Sequence, residues 1–267
     1  MPKLSLTTWS LNNMLGPLRW TRWNQAEAQQ IVDVEEKEEK ISLLELPKLV
    51  AEKGFEALEV CHFQFPRTDA AYLAELKQAF EQSGVKFFNL LIDYGDISSS
   101  DEKRRSSDIQ FIKNWMDIAA SVGAERVRIV AGESAADDQA ALHRSVDSLR
   151  ELIAYGKQRQ VRVVTENFQP LASTAENCLF LLDNVGDDLG LVTDFGNYQL
   201  ATKYGQLELT IPRSESIHAK PNYDERGEMD EVEFLQSLEL LEKHGYQGPI
   251  TIVAGGQAED QWKEIEK

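Results

Sequence analysis

Residues 161–167 read Val-Arg-Val-Val-Thr-Glu-Asn and residues 189–195 read Leu-Gly-Leu-Val-Thr-Asp-Phe; between them, residues 174–184 read Thr-Ala-Glu-Asn-Cys-Leu-Phe-Leu-Leu-Asp-Asn, followed by Gly186. The outer segments are short β-branched and aliphatic runs, each with a carboxylate near its end. The middle one carries apolar residues at helical spacing, and Gly186 stands where a helix needs a left-handed cap before the chain re-enters a strand. A strand, a helix and a strand joined without a hairpin turn make a parallel crossover.

The same rhythm runs outward in both directions. It predicts strands at 4–9, 55–61, 86–92, 126–131, 161–167, 189–195, 216–219 and 249–254. Helices are predicted at 43–53, 69–83, 101–122, 137–159, 174–184 and 231–244, with shorter ones near 198–204 and 258–264. Gly54, Gly84, Gly123 and Gly245 repeat the punctuation of Gly186. Repeated strand–helix units in 267 residues that are 42% hydrophobic predict an α/β protein, one (β/α)8 TIM barrel domain over residues 1–267.

One segment breaks the rhythm. Residues 11–40 separate the first strand from the first helix by a long insertion, and they leave the end of the strand where barrel sites lie. Trp20 and Trp23 sit there beside Arg19 and Arg22. Two readings stand: a lid whose aromatic faces stack on a sugar, or a helical contact between subunits.

The chain has 45 acidic and 28 basic residues, a formal net charge of -17, and so repels nucleic acid and anionic lipid surfaces. Part of the excess is the run Glu35, Glu36, Glu38, Glu39, read as a solvated helix face or loop. Cys61 and Cys178 lie far apart without metal or redox spacing, which suits buried thiols in a reduced, cytoplasmic protein. No export signal or membrane span is visible.

In a parallel barrel the residues that end strands share one mouth. Three successive predicted strands end in Thr165-Glu166-Asn167, Asp194-Phe195-Gly196-Asn197 and His218-Ala219-Lys220. Asp194 follows Glu166 by 28 residues and His218 follows Asp194 by 24, each about one repeat, so the three come into register at one rim. Two carboxylates and an imidazole there would bind Mn²⁺, Co²⁺, Mg²⁺ or Zn²⁺; the alternative is three separately hydrogen-bonded rim side chains. Strand alternation also points Glu59, Asn89 and Arg128 toward the barrel interior, where Glu59 and Arg128 must meet each other or the site. An Arg128 lying outward between helices is the alternative.

At these residues the chain resembles the sugar isomerase/epimerase superfamily with the xylose isomerase-like barrel. The resemblance is carried by residues 55–63 (FEALEVCHF), 90–97 (LLIDYGDI), 127–132 (VRIVAG), 165–167 (TEN), 194–197 (DFGN) and 218–220 (HAK). It implies that Glu166, Asp194 and His218 hold a divalent metal. It also implies a second glutamate on the last strand, where this chain has Val253, so that metal binding is expected to be weak or lost. In the epimerases of this superfamily the two glutamates act as opposed acid and base. With Glu166 alone, aldose–ketose isomerisation by one base is the expected reaction. His62, Asp93, Asp96, Glu133 and Lys220 are candidate replacements for the missing group. The bland readings are a hydrogen-bonded rim histidine for His62 and a helix-start carboxylate for Glu133.

The expected protein is therefore a metal-assisted isomerase or epimerase of a small sugar or sugar phosphate. Glu166 is the base, and His62, Arg128, Glu133, Asn197, Lys220, Trp20 and Trp23 are candidate substrate contacts. Backbone N–H groups of Ala254-Gly255-Gly256 are candidates for a phosphate. Val253 also motivates a degenerate barrel that binds a sugar-like ligand or a partner without turnover, and a keto-polyol dehydratase would begin with the same proton abstraction. The superfamily's nucleic-acid branch needs many histidines for three zinc ions, against 4 here. Resemblance implies a homodimer or homotetramer.

Overall fold

The computed structural model describes residues 3–255 and 261–266. Strand β1 (Leu4–Thr7) is followed by an antiparallel pair, β2 (Leu18–Asn24) and β3 (Gln29–Glu35). Seven strands then alternate with helices: β4 (Ala57–Cys61), β5 (Lys86–Ile92), β6 (Arg126–Ile129), β7 (Arg162–Glu166), β8 (Leu189–Asp194), β9 (Ser216–Ala219) and β10 (Ile250–Ile252). With β1 these close into a ring in the order β1-β10-β9-β8-β7-β6-β5-β4, every neighbouring pair parallel. Each predicted barrel strand is therefore present, and closure leaves the ring without an edge.

Among the described residues eight α-helices surround it: α1 (Leu46–Glu52), α2 (Ala70–Ser83), α3 (Glu102–Val122), α4 (Gln139–Arg159), α5 (Ala175–Val185), α6 (Lys203–Thr210), α7 (Glu231–Lys243) and α8 (Gln261–Ile265). Short polar residues start most of them. The side chains of Asp69, Asp101, Asp138, Thr174 and Asp230 accept hydrogen bonds from first-turn N–H groups that would otherwise lack partners. Gly84 and Gly123 end α2 and α3 in the left-handed conformation that favours glycine. The α6 helix begins five residues later than its predicted start at Tyr198, because residues 196–202 form the turn that carries Asn197 into the site. The predicted start of the last helix, Ala258, lies outside the described residues.

Alternation along the strands separates two environments. Leu6, Leu58, Val60, Leu90, Ile92, Val127, Ile129, Val163 and Leu191 belong to the main core cluster between strands and helices. The opposite parity, including Glu59, Asn89, Arg128, Glu166, Asp194 and His218, faces the interior. One extra residue, Phe88, shifts the register between β4 and β5, pairing Glu59 with Asn89. At the floor of the barrel, Arg162 grips both oxygens of Glu215 at 2.9 and 3.0 Å, and Arg126 approaches the same carboxylate at 3.5 Å.

The insertion is not helical, as one of its two readings had it: it is the β2–β3 hairpin. Its turn starts at Asn24, whose side chain accepts from the N–H groups of Ala26 and Glu27 at 3.0 and 3.3 Å. The hairpin docks on α3 through Gln30, which donates to Asp108 at 3.0 Å and accepts from Ser107 at 3.1 Å. Leu18 is buried against Cys61, Phe63 and Leu91, with Trp9 and Trp20 packed beside them. The acidic run finishes β3 and continues as loop. Both cysteines are free and buried, and among the described residues no helix is long and apolar enough to cross a membrane.

Gly190 lets the floor close. A β-carbon there would stand 2.6 Å from the Glu215 carboxyl carbon and 2.7 Å from Val164 Cγ1. With Glu215 pinned by two arginines, that space cannot open cheaply. Gly190→Ala is expected to cost about 1–3 kcal/mol, read as a lower urea midpoint with an unchanged slope.

Candidate active site

Glu166 and Asp194 are the last residues of β7 and β8, and Asp194 pairs directly with His218 of β9. Asn167 extends this register beyond the ladder: its side chain donates to the Asp194 carbonyl at 2.9 Å and accepts from the Asp194 N–H at 2.7 Å. The Gly196 N–H donates to Asp194 Oδ1 at 2.7 Å, leaving Oδ2 turned to His218. One ligand atom from each of Glu166, Asp194 and His218 lies within 4.8 Å of the others, and all three side chains are buried.

His218 is held from behind. Its Nε2 pairs with Glu59 Oε2 at 2.8 Å, while Glu59 Oε1 accepts from Thr251 Oγ1 at 2.9 Å. This fixes the ring so that Nδ1 faces Glu166 Oε1 at 3.5 Å and Asp194 Oδ2 at 3.7 Å. Three carboxylates thus converge on one imidazole. Burial opposes protonation of His218, yet the charges of Glu59 and Glu166 carry its pKa well above the ordinary histidine value.

Arg128 supplies the nearest fixed positive charge. Its guanidinium pairs with Asp93, approaches Glu166 Oε2 with Nε at 3.0 Å, and lies over Phe168, 5.1 Å from the ring centre. The Nε–Oε2 approach is misaligned, and neither atom has a hydrogen-bond partner. Burial opposes ionisation of Glu166, but Arg128 and His218 outweigh it and hold the carboxyl below the usual carboxylate range. For Asp93 burial wins over Arg128 and pushes the carboxyl up. Glu166 Oε1 accepts from Asn197 Nδ2 at 3.0 Å, and Lys220 Nζ donates to Asn197 Oδ1 at 3.1 Å.

The donor set fits a divalent cation. On the cavity side, His218 Nδ1 lies too far from Glu166 Oε1 and Asp194 Oδ2 for good hydrogen bonds. Donor atoms sharing one ion at about 2.1 Å lie roughly 3–4 Å apart, the range seen around Nδ1. Glu59 then plays the part of the carboxylate that orients a ligating histidine.

These groups open into a cavity of about 300 Å³. Of the residues singled out in the sequence, Glu166, Asp194, His218, Arg128, Asn197, Lys220 and Trp20 line it, as do Asp93 and Val253. His62, Glu133 and Trp23 do not. The His62 ring is wedged edgewise against Phe63, Phe111 and Trp115, and its Nδ1 accepts from the Asp93 N–H at 3.2 Å. Burial and then the Arg128 charge push its pKa down to about 3, so it is neutral. Glu133 is paired with Arg104 of α3 at 2.6 Å, and Trp23 donates to Gln25 at the exposed end of the hairpin. Asp96 is enclosed by hydrogen bonds from Ser98 and the Glu133 N–H. The glycine turn does not present free N–H groups either: Ala254 N–H donates to Ser10 and Gly255 N–H to Tyr223, and Gly256 lies outside the described residues.

Sequence reasoning missed Thr7, Trp9, Phe168 and Gln169, which also line the cavity. Trp9, just past the end of β1, was within reach of the strand-end rule. Gln169 was not: its backbone holds φ 65° and ψ 163°, a strained conformation for a side-chain-bearing residue that no sequence signal announces. Arg128→Met should leave the buried Glu166 carboxylate without the guanidinium beside it and Asp93 without its partner. The expected loss is about 3–5 kcal/mol in urea unfolding near neutral pH.

Comparison with known proteins follows the same lines. No curated protein matches the chain in sequence. Among solved structures, 3-keto-D-glucoside 4-epimerase from E. coli superposes with a TM-score of 0.67 at 16% identity, covering 99% of this chain and 96% of that one. D-psicose 3-epimerase from Clostridium cellulolyticum H10, solved with D-tagatose, gives 0.65 at 16%, covering 99% and 89%. A xylose isomerase-like barrel protein from Mycobacterium smegmatis, in complex with magnesium, gives 0.64 at 14%, covering 99% and 95%. These likenesses establish the fold. A family model matches residues 47–265, most of the chain and the strands that carry Glu166, Asp194 and His218, and on that match the protein belongs to the xylose isomerase-like TIM barrel family.

Proposed function

We propose that this barrel is a metal-assisted isomerase or epimerase of a small sugar, with Glu166 removing a proton from the carbon next to the carbonyl. The observation that carries the reading is the convergence of Glu166, Asp194 and His218 on one point inside a cavity. Sugar epimerases among the proteins of the same fold support the substrate class. The Ala254 and Gly255 N–H groups are engaged elsewhere, which favours an unphosphorylated sugar.

Glu166, Asp194 and His218 would hold the cation, which when bound polarises the sugar carbonyl and neighbouring hydroxyl. Glu166, ionised beside Arg128, accepts the proton from carbon. Asn197 orients that carboxylate and ties it to Lys220, which faces the cavity as a second cation for the enediolate oxygens. Trp20 and Trp9 offer aromatic faces to sugar C–H groups and shield the mouth from water. Val253 favours a second reading, a barrel that binds a sugar without turnover.

Two measurements test the proposal. Calorimetric titration with Mn²⁺ should give stoichiometric binding, and Glu59→Gln, which keeps every ligand but weakens the hold on His218, should lower the affinity about 10–100-fold. Absence of Mn²⁺ binding to the native protein would sink the metal-assisted reading. Incubated in D₂O with Mg²⁺ and D-fructose, D-tagatose or L-ribulose, the native protein should place deuterium on carbon beside the carbonyl. Glu166→Gln should slow that exchange at least about 100-fold. No exchange into any of these ketoses would leave the non-catalytic reading standing.

A further inference from the structure

Inverting a carbon takes two proton-transfer groups, one on each side, whereas the residue that follows the last barrel strand and lines the cavity is the apolar Val253. Among the described residues, the carboxylates that line the cavity are Asp93, Glu166 and Asp194. Asp194 is fixed by the Gly196 N–H and turned toward His218 among the cation ligands. Lys220 is tied through Asn197 to the Glu166 side. Cys61 also lines the cavity, but burial pushes its thiol far above the ordinary range. Asp93 differs from all of these. It follows β5, two barrel strands from Glu166 with Arg128 of β6 between them, and so stands apart from the β7–β9 rim that carries the ligands.

Its placement is fixed twice. The backbone N–H donates to the neutral His62, and Oδ1 is held by the same guanidinium that contacts Glu166, so one buried cation sets the two carboxylates relative to each other. Arg128 holds Oδ1 and not Oδ2, and the side chain keeps 19% of its surface open.

We propose that Asp93 is the second proton-transfer group, replacing the missing strand-end glutamate from the other side of Arg128, and that the reaction is epimerisation of a ketose. This rests on the proposed role of Glu166 as base. The Glu166 carboxylate takes the proton, and the C–H electron pair moves into the enediolate. As the carbonyl re-forms, the Asp93 carboxyl delivers its own proton to the same carbon from its side. Glu166 ends protonated and Asp93 ionised, and proton exchange with water restores both. Burial pushes the Asp93 carboxyl up, the direction that favours a proton donor.

The test uses the native protein, Asp93→Asn and Asp93→Glu with Mg²⁺ in D₂O, supplied with L-ribulose, D-fructose or D-tagatose. Deuterium in the recovered ketose and formation of its C3 epimer are followed separately by NMR after chromatography. Asp93→Asn should keep deuterium wash-in within about 10-fold while epimer formation falls at least about 100-fold, and Asp93→Glu should restore epimer. Thermal melts check that each variant is folded. Native-rate epimerisation by Asp93→Asn overturns the proposal, as does parallel loss of wash-in and epimer, which would make Asp93 a support for Arg128. Wash-in by the native protein with aldose as product also overturns it, while leaving Glu166 as base. No wash-in by the native protein removes the proposed function and this inference together.

Discussion

Ionisable groups inside a ring of strands have little water to turn to, so each must find an opposite charge or hydrogen bonds within reach. That constraint organises the upper half of this barrel. Arg128 stands between Asp93 and Glu166, and His218 stands between Glu59 behind it and Glu166 and Asp194 in front. Each side chain is held by groups from other strands, and none has its geometry from its own strand alone. Such support from several strands suits the proposed chemistry, whose groups must meet a reacting carbon in one orientation.

The closed ring makes this possible because register passes from strand to strand. Asp194 faces His218 because β8 and β9 pair in parallel at that position, and Asn167 carries the pairing past the last ladder bond. On the far side, the register shift at Phe88 sets Glu59 level with Asn89, in the layer beneath His218. The hairpin adds a wall the ring lacks. Leu18 and Trp20 pack on Phe63, and Gln30 ties the free end of the hairpin to α3, so the aromatic wall is held at both ends.

Much of the architecture was legible because its signals are local. Strand runs, N-cap aspartates and terminal glycines act within a few residues of themselves, and the spacing from Glu166 to Asp194 to His218 carried the register of one rim. The hairpin was not legible as a hairpin. Its turn, residues 25–28, contains neither glycine nor proline, and Ala28 takes a positive φ of 47° that its identity does not announce. His62 looked like a mouth residue because it follows a strand, yet the next turn rotates it under the β5 loop, into an aromatic cage. Glu133 fell to a similar competition, claimed by Arg104 from a helix 29 residues earlier in the chain.

The sequence by itself determined the alternation of strands and helices, the inward parity of Glu59 and Arg128, and the three polar residues that end successive strands. These follow from periodicity and chain direction, which need no knowledge of distant neighbours. Only the tertiary structure decided which charge answers which: Glu59 to His218 and not to Arg128, Asp93 and not His62 beside Arg128 at the cavity. Those pairings join residues up to 159 positions apart. They depend on ring closure and side-chain reach, and neither is written into any stretch of the chain short enough to read alone.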